Sequence, residues 1–185
     1  VLSCVFATSE GQKFSHLTIK DGLSQSSVKC LFQDSKGFLW MGTADGLNKF
    51  DGYQFEVFNS SPVDPFSLSG NDITCVYENT SDGTLWIGTQ NAGLNLYNRE
   101  LDNFYTFIGN EKNSGEKSPV YINDILSIGR TTWFASRLKG ICYFNIVDSS
   151  FNYPSFSLLE EFKNITCFEN DKNGNLWFGT PSGLY

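Results

Sequence analysis

Apolar residues along this chain fall in short runs separated by Asp, Asn, Ser and Gly, and no stretch shows the 3.6-residue period of an amphipathic helix. The first clear unit reads as four short strands. Val28 to Gln33 is an apolar strand, and Asp34 to Gly37 supplies turn residues. Phe38 to Thr43 is a second strand, closed by the turn "ADG". Leu47 to Phe50 is a third, and "DG" at Asp51 and Gly52 leads to a fourth at Tyr53 to Phe58. The pattern predicts an antiparallel meander.

The unit then returns. "GFLWMGTADGLNKFDG" at Gly37 to Gly52 is followed by "GTLWIGTQNAGLNLYN" from Gly83, "RTTWFASRLKGICYFN" from Arg130 and "GNLWFGTPSGLY" from Gly174. Trp40, Trp86, Trp133 and Trp177 stand 46, 47 and 44 residues apart, and Gly46, Gly93, Gly140 and Gly183 keep nearly the same step. Upstream of each Trp lies a second matching element: "SSVKC", "NDITC", "NDILS" and "KNITC". Four strands in roughly 40–50 residues is the size of one β-propeller blade. The fold class is therefore all-β: a propeller of four-stranded antiparallel blades, with repeats over about 14–58, 59–108, 109–157 and 158–185.

A blade cannot bury both faces alone, so neighbours must stack. Positions shared by every copy then serve the scaffold. Trp40, Trp86, Trp133 and Trp177 are expected to pack between blades. Gly46, Gly93, Gly140 and Gly183 are expected to permit turns with positive φ. Gly42, Gly88 and Gly179, with Thr43 and its equivalents, belong to the same scaffold, and the third copy replaces this pair by Ala135 and Ser136. Phe14 to Ile19 resembles a fourth strand, while the final copy stops inside its third. Ring closure between the termini and a cut through a longer propeller both produce that pattern, and a fragment of a larger ring is the preferred reading.

Composition narrows the function classes. The net charge of −7 disfavours a nucleic-acid partner, which requires clustered Lys and Arg. No apolar run reaches the ~20 residues of a membrane span. Val1 to Ala7 has the features of a signal-peptide remnant; a plain first strand and a lipoprotein acylated at Cys4 are the alternatives. Residues 8–185 are then the propeller region.

"DGLSQSSV", "QDSKGFLWMGTADGLNKFDG" and "NDITCVYENTSDGTLWIGTQNAGLNLYN" resemble the two-component regulator propeller repeat. The resemblance covers nearly the whole chain from Phe14, and the third copy departs from it at "WFASRLKG" with a shorter first hairpin. It implies the periplasmic sensor region of a hybrid two-component system histidine kinase of Bacteroidetes type. In such proteins the propellers precede a β-sandwich, an inner-membrane helix and a kinase, and sense oligosaccharides from complex glycans. It further implies a homodimer in the parent protein, with membrane contact only through segments outside this one and no nucleic acid bound by this fragment.

Candidate chemistry is sparse. Cys30, Cys75 and Cys167 share one register, which Ser127 fills in the third copy; small residues suit a crowded inner strand, and no CxxC marks a disulfide or metal centre. No metal or cofactor is expected. His16, the single histidine, lies on the proposed outer strand without a nucleophile motif. Asp34, Asp82 and Asp171 belong to turns. "DSKGFLW" and "DKNGNLW" superficially resemble the sialidase Asp-box, but Asp stands three residues before Gly instead of two. No catalytic residue is assigned. Ligand contacts are placed on the rim made by the blade-entry loops and the turns joining second and third strands, at Asp45, Asn91, Arg137 and Lys139. Arg137 with Lys139 suits an acidic sugar; a solvated basic turn is the competing reading. The alternatives to a glycan sensor are a protein-interaction scaffold and a carbohydrate-active enzyme.

Overall fold

A computed structural model of the chain describes residues 14–107, 120–129, 131–137, 139–145, 150–158, 162–171 and 173–185. The proposed signal remnant lies outside them. Blade 1 comprises β1 (Cys30–Gln33), β2 (Leu39–Thr43), β3 (Gly46–Phe50) and β4 (Phe55–Phe58). Blade 2 comprises β5 (Ile73–Glu78), β6 (Leu85–Thr89), β7 (Leu94–Asn98) and β8 (Asn103–Phe107). Blade 3 has β9 (Ile122–Ile128), β10 (Thr131–Ser136), β11 (Gly140–Asn145) and β12 (Ser150–Asn152). Blade 4 has β13 (Cys167–Asn170), β14 (Leu176–Thr180) and β15 (Gly183–Leu184). Each sheet is an antiparallel meander in sequence order. The first strands β1, β5, β9 and β13 meet their counterparts in the next blade, which makes them the inner strands of the stack.

The proposed outer strand at Phe14 to Ile19 does not form among the described residues. Thr18 instead caps a 3-10 turn at Ile19–Asp21, its hydroxyl accepting from the Lys20 amide at 3.2 Å while the Asp21 carboxylate takes the Thr18 amide at 2.7 Å. Local capping has outcompeted strand pairing there, and His16 is exposed outside any strand. Strands β1 and β4 also begin later than the apolar pattern suggested, at Cys30 and Phe55.

Period-two alternation sends successive side chains to opposite neighbours. In β6 Leu85 and Ile87 join the core shared with blade 1, where Trp40, Leu47, Ile73 and Val76 also lie. Trp86 points the other way, into the core with Ile122, Ile125 and Phe134 of blade 3. Both faces are apolar because both are covered. Trp40 and Trp86 pack between blades: Trp40 meets Tyr97 at 4.9 Å between ring centroids, and Trp86 meets Phe134 at 5.2 Å. Trp133 is half-buried beside Ile165 and Phe168 of blade 4. Trp177 is 43% exposed.

The two repeated glycines act differently. Gly46, Gly93, Gly140 and Gly183 all hold positive φ, from 72° to 145°, as the turn demands. Gly42 and Gly88 are excluded from larger size by packing: a Cβ on Gly42 would fall 2.5 Å from the Cys30 Sγ and 2.6 Å from Ile73. Pairing of Cys30 with Gly42, Cys75 with Gly88 and Cys167 with Gly179 defines the small position of the inner strand. In blade 3 that place belongs to Asp124, opposite Ala135, and not to Ser127. The likeness of "NDILS" to "NDITC" misplaced the register, which pairing to the Trp strand fixes; the shorter first hairpin of blade 3 conceals the shift.

Candidate ligand-binding rim

The end of each second strand carries a hydroxyl that holds the following turn. Thr43, Thr89 and Thr180 accept from the amides of Asp45, Ala92 and Ser182 at 2.9, 3.0 and 3.1 Å. Ser136 does the same for Lys139 at 3.4 Å. The turn glycines then reach the next blade, Gly46 donating to the Asn71 carbonyl at 2.8 Å and Gly93 to that of Val120 at 3.0 Å. Repeated residues thereby fix the turn backbone and leave its variable side chains exposed, the arrangement in which specificity is carried without disturbing the scaffold.

The four expected contacts do not converge. Asp45 and Asn91 are exposed at the turn tips of blades 1 and 2. The Lys139 ammonium lies over the Tyr153 ring, 5.0 Å from its centroid. Arg137 lines a cleft of about 410 Å³ with Asn123, Asn164, Thr166 and Pro181 at the junction of blades 3 and 4. Its amide donates to the Tyr121 carbonyl and its carbonyl accepts from the Asn164 amide, each at 3.1 Å, so both blades pin its backbone. Asn164 and Pro181 belong to rim segments that turn chemistry identifies. Asn123 and Thr166 sit in or beside inner strands, and no sequence signal separates them from ordinary strand residues.

A residue in or just before each of β1, β5 and β9 also ties one blade to the next. Lys29 pairs with Asp72, the Thr74 hydroxyl donates to the Ile122 carbonyl at 2.5 Å, and the Asn123 amide donates to the Ile165 carbonyl at 2.6 Å. Asp124 accepts from the Phe168 amide at 2.7 Å and from its own neighbour Ile125 at 2.9 Å. Burial nonetheless holds its carboxyl above the ordinary value.

The opposite rim has a second cleft, of about 380 Å³, lined by Lys36, Phe38, Lys49, Tyr97, Arg99 and Asp102. Its best-buried cations are already neutralised. Arg99 bridges Asp34 of blade 1 and Glu78 of blade 2 at 2.8 and 2.7 Å. Lys49 pairs with Glu56 and Asp102, both at 3.1 Å, beneath the rings of Phe38 and Tyr97. Burial opposes the Lys49 charge, yet hydrogen bonds to Tyr97, Glu56 and Asp102 hold its pKa above the usual lysine value. This is an inter-blade clamp. Among the described residues no cluster of His, Cys, Asp or Glu fits a metal ion, and Cys30, Cys75 and Cys167 are free thiols.

The model of the family described as two component regulator propeller matches residues 22–45, 67–91 and 161–182. These three stretches match the two-component regulator propeller repeat. The matched stretches fall on blades 1, 2 and 4. A curated protein of Formosa agariphila named histidine kinase P4 is 54% identical over 56 residues, which is 30% of this chain and 4% of that protein. The regulator propeller repeats also align with the extracellular domain assigned to a hybrid two-component system of Bacteroides thetaiotaomicron. The TM-score is 0.80 at 30% identity, covering 92% of this chain and 24% of that one. A second extracellular domain from that organism, assigned to a one-component system, gives 0.65 at 20% identity over 90% of this chain and 24% of that one, a likeness of fold alone. The chain thus spans about a quarter of each of these two solved domains. No helix among the described residues is long and apolar enough to cross a membrane.

Proposed function

We propose that these propeller repeats form part of the periplasmic sensor region of a hybrid two-component system, and that they bind a glycan-derived oligosaccharide on the rim formed by entry loops and second turns. Ligand binding biases how two protomers pack, and that bias passes through the membrane to a histidine kinase outside this segment. The observation that carries the reading is the cleft between blades 3 and 4. It lies on the rim of a propeller similar to a two-component extracellular domain, and its walls combine a backbone-pinned Arg137 with the polar side chains of Asn123, Asn164 and Thr166. A 410 Å³ volume falls within the range of small-ligand clefts, roughly 300–1,000 Å³.

The test is a thermal-shift screen of the purified chain against oligosaccharides of defined linkage, with monosaccharides as controls and product analysis alongside. Saturable stabilisation by one oligosaccharide family without products is expected, amounting to about 2.7 kcal/mol at a hundredfold excess over Kd. Product formation would make the propeller an enzyme. A flat response to every glycan would overturn the reading and favour a scaffold that recognises another polypeptide.

A further inference from the structure

We infer that the cleft between blades 3 and 4 is an anion-selective subsite, taking the carboxylate or sulfate group of an acidic sugar on the Arg137 guanidinium. The inference rests on the glycan-sensor reading and narrows it to a chemical class.

Charge pairing separates this cleft from its counterpart on the other rim. In that cleft Arg99 and Lys49 each have carboxylate partners within 3.1 Å, and the one cation lining it without such a partner among the described residues is Lys36, in the first turn of blade 1. Arg137 has an exposed side chain with no carboxylate within ion-pair distance among the described residues. The residue after the turn-holding hydroxyl is Ala44 in blade 1, Gln90 in blade 2 and Pro181 in blade 4, so a cation at this place is peculiar to blade 3. That blade is also the one outside the matched repeat stretches. The backbone of Arg137 is held on both sides, through Tyr121 and Asn164, so only its side chain remains to be ordered on binding.

The walls complement a sugar. The Asn123 side-chain N–H is committed to Ile165 and the Thr166 hydroxyl to Gly179 at 3.1 Å, which leaves Asn123 Oδ1 and the Thr166 lone pairs as acceptors for sugar hydroxyls. Arg137 supplies donors in the planar fork that matches a carboxylate or sulfate. Pro181 adds an apolar wall for a C–H face. In a chain with 13 basic and 20 acidic residues, an anion is held by this local arrangement and not by the overall field.

Isothermal titration of the chain with tetragalacturonate, a sulfated carrageenan tetrasaccharide and neutral galactotetraose tests the assignment. At least one acidic probe is expected to bind about tenfold or more tightly than the neutral one. Arg137→Gln should abolish that preference, Arg137→Lys should keep part of it, and Lys36→Gln on the opposite rim should leave it intact. Unchanged thermal unfolding of Arg137→Gln establishes that the variant is folded. A response to the uronate alone or to the sulfate alone identifies which anion is read. Equal binding of acidic and neutral probes, or a preference that survives Arg137→Gln, overturns the inference while the sensor reading stands. If these probes fail but the wider screen yields a neutral ligand, the anion assignment alone falls. If nothing in either set binds, both fall.

Discussion

At the junction of blades 1 and 2, Trp40 is fully buried, its indole N–H is bonded to Asp34, and Arg99 ties Asp34 to Glu78 across the gap. At the junction of blades 3 and 4, the equivalent Trp133 is half-buried against its own-sheet neighbour Tyr143, and the rim opens into a cleft beside Arg137, which has no ion pair among the described residues. The same repeat has therefore produced a cleft whose buried cations are neutralised in one place and, in the other, a cleft beside an arginine with no carboxylate partner among the described residues. The first puts its polar groups into holding blades together. The second ties its blades through Asn123 and Asp124 and leaves the Arg137 guanidinium available. Binding surfaces come from the less tightly satisfied end of a structure, and blade 3, which departs from the repeat, is where that end is found.

The largest expected effect concerns the tryptophans. Trp40→Ala should lower unfolding stability by about 3–5 kcal/mol, because a fully buried indole and its hydrogen bond are both lost. Trp133→Ala should cost less than half of that in the same urea titration. Equal costs would erase the contrast between the junctions. Arg99→Gln comes next, at about 3 kcal/mol, since it strands two buried carboxylates without their partner. Arg137→Gln, at an exposed cation without an ion pair among the described residues, should change stability by under about 0.5 kcal/mol.

The smallest effect is in acid. Hydrogen bonds from the Asn175 side chain and backbone and from the Trp177 indole bring the Asp171 pKa to about 2. Burial opposes ionisation of Asp34, but bonds from Trp40 and Arg99 outweigh it and its pKa also lies below the ordinary 3.8. A carboxyl with a lowered folded-state pKa stabilises fully above its unfolded value and loses that contribution as pH falls towards the folded one. The urea midpoint should therefore decline from pH 3.8 towards 2, and Asp171→Asn should flatten part of the decline. An unchanged slope in that variant would remove Asp171 from the account.

Much of this was legible in the chain. Turn residues and alternating apolar runs located the strands within two residues or so in blade 1. Asp34, Asp82 and Asp171 do bind turn amides, at Lys36, Thr84 and Asn173 among others. What the pattern did not reveal was the indole each of Asp34 and Asp171 also holds, the outer segment at Phe14 to Ile19 turning into a capped 3-10 turn, and the identity of Asp124 as the inner-strand counterpart of the cysteines. Nor did adjacency keep Arg137 and Lys139 together, since one lines the cleft and the other covers Tyr153.

The sequence by itself determined the repeat, the meander and the positive-φ turns, because strand alternation and turn geometry are local properties carried by residues a few places apart. Only the tertiary structure decided which tryptophan is sealed, which cations are neutralised and which residues of blades 3 and 4 share a cleft. Those outcomes depend on groups more than forty residues apart, such as Asp34 with Arg99 or Asn123 with Ile165, brought together by the stacking of one blade on the next.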